Sequence, residues 1–241
     1  MPASSSIEPR PTRARRSDLR ATSLEACLDA ALEIIDHGGL DSLTIRSLAE
    51  RLGIAAMTVY SYVRDKDELL DRIAVRLLGA VRESVPARGR WQARLTSMMT
   101  SLHDALRLHP GVAAISVTPR GPIAALDPFR ESLLRVLHDA GFPPRDAVNA
   151  LTALVTYVTG YSMVEHARTE THVEQERWRL ARLPKDRFPL LAEAADLYAT
   201  QFSQRTFQAG LKSLIDGLEA ELNTLRQRKK AQRSKGSAAQ R

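Results

Sequence analysis

Apolar residues recur every three or four positions along almost the whole chain, and this spacing restricts the fold more than any other feature. A few junctions hold most of the 12 glycines and 12 prolines, and the segments between them are rich in Ala, Leu, Arg and Glu, which favour helices. No segment has the alternation and β-branched enrichment of a strand, and no repeat of constant period occurs. The pattern predicts an all-α fold in a chain of 241 residues, enough for one large or two small domains.

The chain lacks signs of a secreted or membrane protein. The lone Cys27 cannot form a disulfide within the chain, and no uninterrupted apolar run approaches the roughly 20 residues of a membrane span. The N-terminus carries charge and proline but no apolar stretch of the kind that a secretory signal needs. We therefore expect a cytoplasmic protein with no membrane association.

The net charge of +7 has a local origin. Residues 226–241 hold seven basic and no acidic residues, whereas residues 1–225 hold 28 of each sign. Charge alone therefore does not indicate a nucleic-acid-binding domain. Residues 1–21, rich in Ser, Pro and Arg, and the basic tail 226–241 are both predicted to be disordered.

Four helices are predicted after the N-terminal arm. The first begins near Thr22 or Ser23 and ends at the glycines after His37, and the second is short, with Thr44 as its N-cap and Gly53 at its end. The third covers residues 56–63, and Asp65 and Glu68 have the spacing that opens a fourth. Two short helices joined by a glycine turn are typical of a helix-turn-helix, whose second helix enters the DNA major groove. A corner in an ordinary helical bundle would show the same periodicity.

Specific residues favour the DNA-binding alternative. Residues 24–74 resemble the N-terminal domain of the TetR transcriptional regulators, most clearly in the segments Ile45–Ala49, Thr58–Val63 and Lys66–Leu70. Trp91 with Gln92, and residues 207–219, resemble the C-terminal domain of the tetracycline repressor class. The resemblance implies a helix-turn-helix DNA-binding domain at 22–68, a connecting helix at 69–84, and a larger helical ligand-binding and dimerisation domain at 85–225. It implies no cofactor.

The resemblance assigns DNA contacts to the second and third helices and to the start of the fourth. We predict that Arg46 contacts guanine, that Met57 contacts thymine methyls and that Lys66 contacts phosphate. A solvated Arg46 and a Tyr60 packed in the core are the structural alternatives. The full predicted set is Thr44, Arg46, Ala56, Met57, Thr58, Tyr60, Ser61, Tyr62 and Lys66.

Two features of this region depart from the simplest DNA-binding pattern. Ala55 stands where many relatives have a Ser or Thr that caps the recognition helix, and Ala cannot accept the exposed amide hydrogens. Residues 23–68 carry four basic and nine acidic residues, so any attraction to DNA must be local. The five arginines of the arm, residues 1–22, either follow the DNA backbone or enter the minor groove, or they belong to a solvated tail.

Beyond a loop at residues 85–89, helices are predicted at 90–108, 126–140, 144–168, 188–199 and 201–225, with a short turn near 112–117. The charged segment between Thr169 and Pro189, with Trp178 as its large anchor, is predicted to be a mobile connection. The family resemblance implies a four-helix dimer interface made by two helices of each subunit. Its predicted residues are Leu151, Val155, Val158, Phe207, Leu211, Leu214 and Leu218.

The same resemblance implies a pocket for a small-molecule inducer. Its predicted residues are Met98, Leu102, Ile115, Thr118, Arg120, Leu137, Tyr157 and Tyr161, although ordinary core packing is the favoured interpretation for any one apolar member taken alone. Ile115 stands where the tetracycline repressors have a histidine that helps to hold a magnesium–drug complex. We therefore expect neither tetracycline nor a metal chelate as the inducer.

Enzyme motifs are missing from the sequence. It contains no GxGxxG, P-loop, HExxH or GxSxG, and its six histidines lack metal-ligand spacing. The predicted function is a dimeric, sequence-specific repressor that leaves a palindromic double-stranded DNA operator when it binds an inducer. The alternatives are a ligand-independent architectural DNA-binding protein and a dimeric adaptor that has lost DNA binding.

Overall fold

The structure is a computed structural model that describes residues 23–113 and 124–239, with backbone alone for Ala125 and residues 232–239. Within these residues there are helices and turns and no strand, which confirms the predicted all-α fold. We number the α-helices in chain order as α1 Leu24–Gly38, α2 Ile45–Leu52, α3 Ala56–Val59, α4 Lys66–Glu83, α5 Trp91–Leu108, α6 Pro110–Ala113, α7 Asp127–Ala140, α8 Pro144–Ala167, α9 Glu170–Ala181, α10 Pro189–Glu193, α11 Ala195–Ala199 and α12 Gln204–Ala239. Two 3₁₀ turns lie at Leu40–Ser42 and Ala124–Leu126.

Helices α1 to α3 and the first half of α4 enclose a small core. Ile35, Leu48 and Ile73 meet there and are fully buried. Local capping fixes the starts of these helices, because the side chains of Ser23, Thr44 and Asp65 each accept a backbone hydrogen bond in the first turn of α1, α2 and α4. The helix-turn-helix is thus held both by caps and by a shared core.

A second, larger core lies among α5, α7, α8 and α12. Its fully buried members include Leu95, Leu133 and Phe207, one from each of α5, α7 and α12. Helix α4 belongs to both cores, because Leu69 and Ile73 pack in the first and Val81 packs in the second. The predicted boundary at residue 69 therefore falls inside one continuous helix.

Helix α9 replaces the mobile connection predicted between Thr169 and Pro189, so that prediction is wrong. The Thr169 hydroxyl and the His172 side chain form a capping box at its start. Leu180 is fully buried at its end, and Arg177 forms an ion pair with Asp196 on α11 at 2.8 Å. A good N-cap and one buried leucine therefore order a segment that its charge content suggested was mobile.

Other element ends also differ from the prediction. Helix α3 ends at Val59, four residues early, and residues 188–199 form two short helices. Helix α12 continues to Ala239 through most of the tail predicted to be disordered, since Arg, Lys, Gln and Ala are good helix formers. The predicted arm 1–21 and the last two residues lie outside the described residues.

Helix α8 is the one described helix that is long and apolar enough to cross a membrane. Ala150, Leu154 and Val158 on one of its faces are buried in the larger core. A core helix of a soluble protein meets the same length and composition test, so one such helix is weak evidence for a membrane span.

Candidate nucleic-acid interface and ligand cavity

The turn between α2 and α3 presents an exposed surface beside the first core. Gly53 adopts a left-handed φ of 66° after α2, and α3 begins three residues later. Val59 points inward and is fully buried, whereas Met57 is 78% exposed and Tyr60 is 49% exposed. The exposure of Tyr60 argues against the alternative that its side chain packs in the core.

Not every predicted DNA contact has a free side chain. The Thr44 hydroxyl caps α2, and Tyr62 is half-buried against the first core. The Ser61 hydroxyl donates to the Thr58 carbonyl at 2.6 Å. Ala56, Met57, Tyr60 and Ser61 are exposed on α3 and its following turn, while Thr44 and Tyr62 stabilise the local fold.

Arg46 and Lys66 flank this surface in different ways. Arg46 is highly exposed and its Nε donates to Glu50 at 2.9 Å, a hydrogen bond that raises the pKa of the guanidinium. Exposed pairs of this kind contribute little, so DNA can displace Glu50. Lys66 donates from Nζ to the Leu40 carbonyl at 2.7 Å, which ties α4 to the 3₁₀ turn. The sequence did not indicate this structural role for Lys66.

The starts of α3 and α4 are capped differently. Ala55 makes no side-chain cap hydrogen bond to α3, which confirms the uncapped start of the recognition helix. At the start of α4, by contrast, Glu68 accepts hydrogen bonds from the Arg64 backbone and from the guanidinium groups of Arg72 and Arg64. These bonds lower the pKa of Glu68 to about 2. The start of α4 is therefore held by charge as well as by its cap.

A cavity of about 250 Å³ lies in the larger domain, against the second half of α4. Its walls come from α4, α5, α6, α7, α8 and the 3₁₀ turn before α7. The described lining residues are Ala74, Leu77, Leu78, Val81, Leu102, Ala105, Leu106, Val112, Leu126, Phe129, Arg130, Leu151, Thr152, Val155, Thr156 and Thr159. Twelve of these sixteen are apolar, and Arg130 is the one ionisable side chain among them.

Of the predicted pocket residues that the structure describes, only Leu102 lines this cavity. Met98 and Leu137 are fully buried in the larger core. Tyr157 and Tyr161 donate from their hydroxyls to the carbonyls of Phe207 and Ser203, at 2.9 and 2.8 Å, and so tie α8 to the start of α12. None of these four residues lines this cavity, and their assignment to an effector pocket stays a prediction. Ile115, Thr118 and Arg120 lie outside the described residues.

Two walls of the cavity were not predicted from the sequence. The α4 wall is formed by Leu77, Leu78 and Val81 with Ala74, whose apolar spacing was interpreted only as a connecting helix. On α8, Thr152, Thr156 and Thr159 follow the i, i+4, i+7 spacing of one helix face. A row of hydroxyls on an otherwise apolar helix was the signal that could have located this wall.

The predicted dimer residues divide into three groups. Val158, Phe207 and Leu211 are fully buried within the chain's own core and expose no surface in the single chain, so their assignment to the interface stays a prediction. Leu151 and Val155 line the cavity. Leu214 and Leu218 are half-buried on α12. Exposed apolar residues that the prediction omitted lie on α8: Val148, Met163 and Val164.

A second contact, besides α4, joins the two cores. Asp36 on α1 lies 2.9 Å from Nδ1 of His109 and accepts a hydrogen bond from the Gly111 amide at 3.2 Å. A Cβ on Gly111 would lie only 2.6 Å from the carbonyl oxygen of Ile35, so glycine permits this approach of α6 to α1. We call the contact among Asp36, Ile35, His109 and Gly111 the α1–α6 joint.

The histidines do not form a metal site within the residues that the structure describes. His103 is fully buried, stacks on Phe207 at a centroid distance of 3.7 Å, and lies 2.9 Å from Glu165. Burial lowers the pKa of His103. His103 does not line the cavity, and no group of His, Cys, Asp and Glu suited to a metal occurs among the described residues. His166, which the sequence placed next to Glu165, is exposed.

Comparison with known proteins shows which family has this architecture. Residues 28–73 match the family described as "Bacterial regulatory proteins, tetR family", and residues 85–222 match "Tetracyclin repressor-like, C-terminal domain". The chain is 33% identical over 205 residues to tetracycline repressor protein class D of Escherichia coli, covering 84% of this chain and 92% of that protein. It is 29% identical over 227 residues to the HTH-type transcriptional repressor DrrR1 of Streptomyces coeruleorubidus, covering 87% and 81% of the two chains.

Solved structures give the same result. The TetR family protein ActR of Streptomyces coelicolor, in complex with (S)-DNPA, superimposes with a TM-score of 0.66 at 28% identity, covering 83% of this chain and 98% of ActR. TetR from Acinetobacter baumannii AYE gives a TM-score of 0.59 at 28% identity, covering 83% and 98%. The chain is therefore a transcriptional regulator rather than an enzyme, and it belongs to the TetR family.

Proposed function

We propose that this protein is a homodimeric repressor of the cytoplasm that binds a palindromic operator and releases it when a small molecule enters the cavity. The observation that carries the proposal is the position of the cavity against α4. The proposal draws support from relatives named as repressors and from the ActR structure that contains a small molecule.

Helix α4 is the mechanical link in this proposal. Leu70 packs in the DNA-binding core and Leu77 lines the cavity. Seven residues separate them, which is about 10 Å along a helix. A ligand that displaces the cavity end of α4 therefore moves the start of the same rigid helix, which is anchored to the helix-turn-helix.

A small movement is enough to lose DNA affinity. Two recognition helices of a dimer fit successive major grooves only when they lie about 34 to 36 Å apart, one duplex turn. Rotating each DNA-binding domain by a few degrees changes that separation. The ligand acts by preferring the rotated state, and its differential affinity sets the size of the effect.

The dimer in the proposal uses the outward faces of α8 and α12. Between Val148 and Val164, α8 carries no charged residue, although Val148, Met163 and Val164 are exposed in the single chain. On α12, Leu214 and Leu218 are half-buried. Apolar and uncharged surface on two long helices is typical of homodimer interfaces.

Footprinting tests this proposal against an architectural role. Duplexes that the purified protein selects from a random pool are sequenced, and the winner is footprinted with increasing protein. We expect one protected palindrome and saturation at two chains per duplex. Protection that spreads along the DNA, with no common motif among selected sequences, would support the architectural alternative instead.

A further inference from the structure

We propose that the effector is a largely apolar molecule that carries one acidic group, and that it binds without a metal ion. Arg130 pairs with the acidic group, and the threonine row of α8, Thr152, Thr156 and Thr159, faces its oxygen atoms. This inference rests on the proposed function, because it names the class of molecule that the cavity takes.

The cavity walls determine the body of the ligand. Leu77, Leu78 and Val81 line the cavity from α4, Leu151 and Val155 line it from α8, and Phe129 adds an aromatic ring. Polar groups placed against such walls would lose their water contacts without replacement. A ligand that fills about 250 Å³ here must therefore present mainly carbon to the protein.

The threonine row offers hydrogen bonds along one wall only. The Thr152 hydroxyl donates to the Val148 carbonyl at 2.9 Å, which leaves its oxygen able to accept. The hydroxyls of Thr156 and Thr159 have no hydrogen-bond partner among the described residues, so each can donate to a ligand oxygen. The row therefore favours a body with hydroxyl or carbonyl groups along one edge.

Arg130 selects the acidic group. It is half-buried and lines the cavity, and its guanidinium lies 3.2 Å from Asp127. Asp127 is itself 67% exposed, so this pair is weak. Arg130 also makes a further contact, and an acid inside the cavity competes with these contacts for the guanidinium. A guanidinium can hold a carboxylate or sulfonate through two parallel hydrogen bonds.

A metal chelate fits this site poorly. Magnesium is held through carboxylates, often with ligand oxygens. No Asp, Glu or His is among the described residues that line the cavity, and its one charged side chain there is a cation. A metal ion beside Arg130 would also meet charge repulsion.

Two fluorescent probes with the same aromatic body test the inference. 1-Anilinonaphthalene-8-sulfonate carries an acidic group, and N-phenyl-1-naphthylamine lacks it. Each is titrated into full-length protein without DNA or magnesium. We expect Arg130→Gln to weaken sulfonate binding about tenfold and to leave the neutral probe within twofold, since charged hydrogen bonds are the stronger ones. Asp127→Asn is the matched control and should strengthen sulfonate binding.

Cavity-filling variants show whether the probes bind in this cavity. Val155→Trp from α8 and Ala105→Phe from α5 should each abolish binding of both probes, and the variant that keeps its thermal transition is the one interpreted. Unchanged sulfonate binding in that variant, or an equal loss of both probes in Arg130→Gln, would overturn the inference. Adding tetracycline with magnesium should not displace either probe, and displacement would also overturn it.

A separate assay tests the proposed function. Because the titrations contain no DNA, they report the chemistry of the cavity alone. Release of the selected duplex by the sulfonate probe is measured in a gel-shift assay. If the probe binds as expected and the duplex stays bound to the protein, the coupling between cavity and DNA is refuted and the ligand class stands.

Discussion

Substituting Gly111 tests whether the α1–α6 joint positions the DNA-binding domain. In Gly111→Ala, the new Cβ would lie 2.4 Å from Cγ2 of Ile35 and 2.6 Å from its carbonyl oxygen. Ordinary contact begins at 3.4 Å, so the Ile35 carbonyl and α6 must separate by about 0.8 Å. The carbonyl is backbone and cannot rotate away, which means that the helices themselves must move.

The energetic cost follows from two opposing terms. Overpacking a tight contact costs about 1 to 3 kcal/mol, whereas replacing a helical glycine by alanine stabilises by about 0.5 to 1 kcal/mol. We expect a net destabilisation of about 1 to 2 kcal/mol, which lowers the melting temperature by roughly 3 to 6 °C in a chain of this size. The same movement also tilts α1 and should lower affinity for the selected duplex.

A second glycine provides the matched control. Gly79 lies within α4, and a Cβ there would meet nothing within 4 Å. Gly79→Ala should therefore keep or raise the melting temperature and leave DNA binding unchanged. Calorimetry at one protein concentration and fluorescence anisotropy with labelled duplex measure the two effects. If Gly111→Ala matches Gly79→Ala in both assays, the joint does not position the DNA-binding domain.

Three further perturbations probe the DNA surface, the dimer and the buried histidine. The double variant Arg46→Ala with Tyr60→Phe should weaken binding to the selected duplex by about ten- to a hundredfold in gel shifts, with little change in melting temperature because both side chains are exposed; a large drop in melting temperature would assign them to the fold instead. Leu214→Glu should give monomers in sedimentation, whereas Leu211→Glu should unfold the chain because Leu211 is fully buried; a stable dimer of the Leu214 variant would move the interface elsewhere. Burial lowers the pKa of His103 in the folded chain, so the unfolded chain binds more protons just below pH 6.5 and stability falls as the pH drops from 7 to 5; His103→Gln should reduce that fall in urea denaturation, and an identical pH dependence would contradict the assignment.

The helix-turn-helix was predictable because its signals are local. Thr44 and Asp65 cap their helices as the sequence indicated, and Gly53 takes the left-handed conformation predicted for the turn. Each of these features depends on residues three or four positions apart, which a sequence displays directly. The missing cap at Ala55 was instead predicted from the family resemblance, because many relatives have a Ser or Thr at that position.

The cavity was less predictable because several helix faces in the larger domain are apolar. Met98 and Leu102 are four residues apart on α5, and both are buried, but only Leu102 lines the cavity. Periodicity identifies a buried face without showing whether a core or a cavity lies against it. The joint between Asp36 and His109 joins residues 73 positions apart, so no local pattern could reveal it.

Val112 connects the cavity to the α1–α6 joint. It lines the cavity, packs against both cores, and follows Gly111 in α6. A ligand therefore touches the DNA-binding domain by two routes, through α4 and through the one-residue step from Val112 to Gly111. Two contacts on different helices resist sliding but permit rotation of that domain as a unit, which is the movement that changes the spacing of the recognition helices.

The coupling must act in both directions. If an effector lowers affinity for the operator by some factor, the operator lowers affinity for the effector by the same factor. Gly111→Ala, by moving α6 from α1, should therefore reduce the difference in sulfonate-probe affinity between free and duplex-bound protein, even though Gly111 does not line the cavity. Calorimetric titration of both forms measures that difference. If the ratio of probe affinities for free and duplex-bound protein is the same in Gly111→Ala and in the unmodified protein, α4 is the route that carries the coupling.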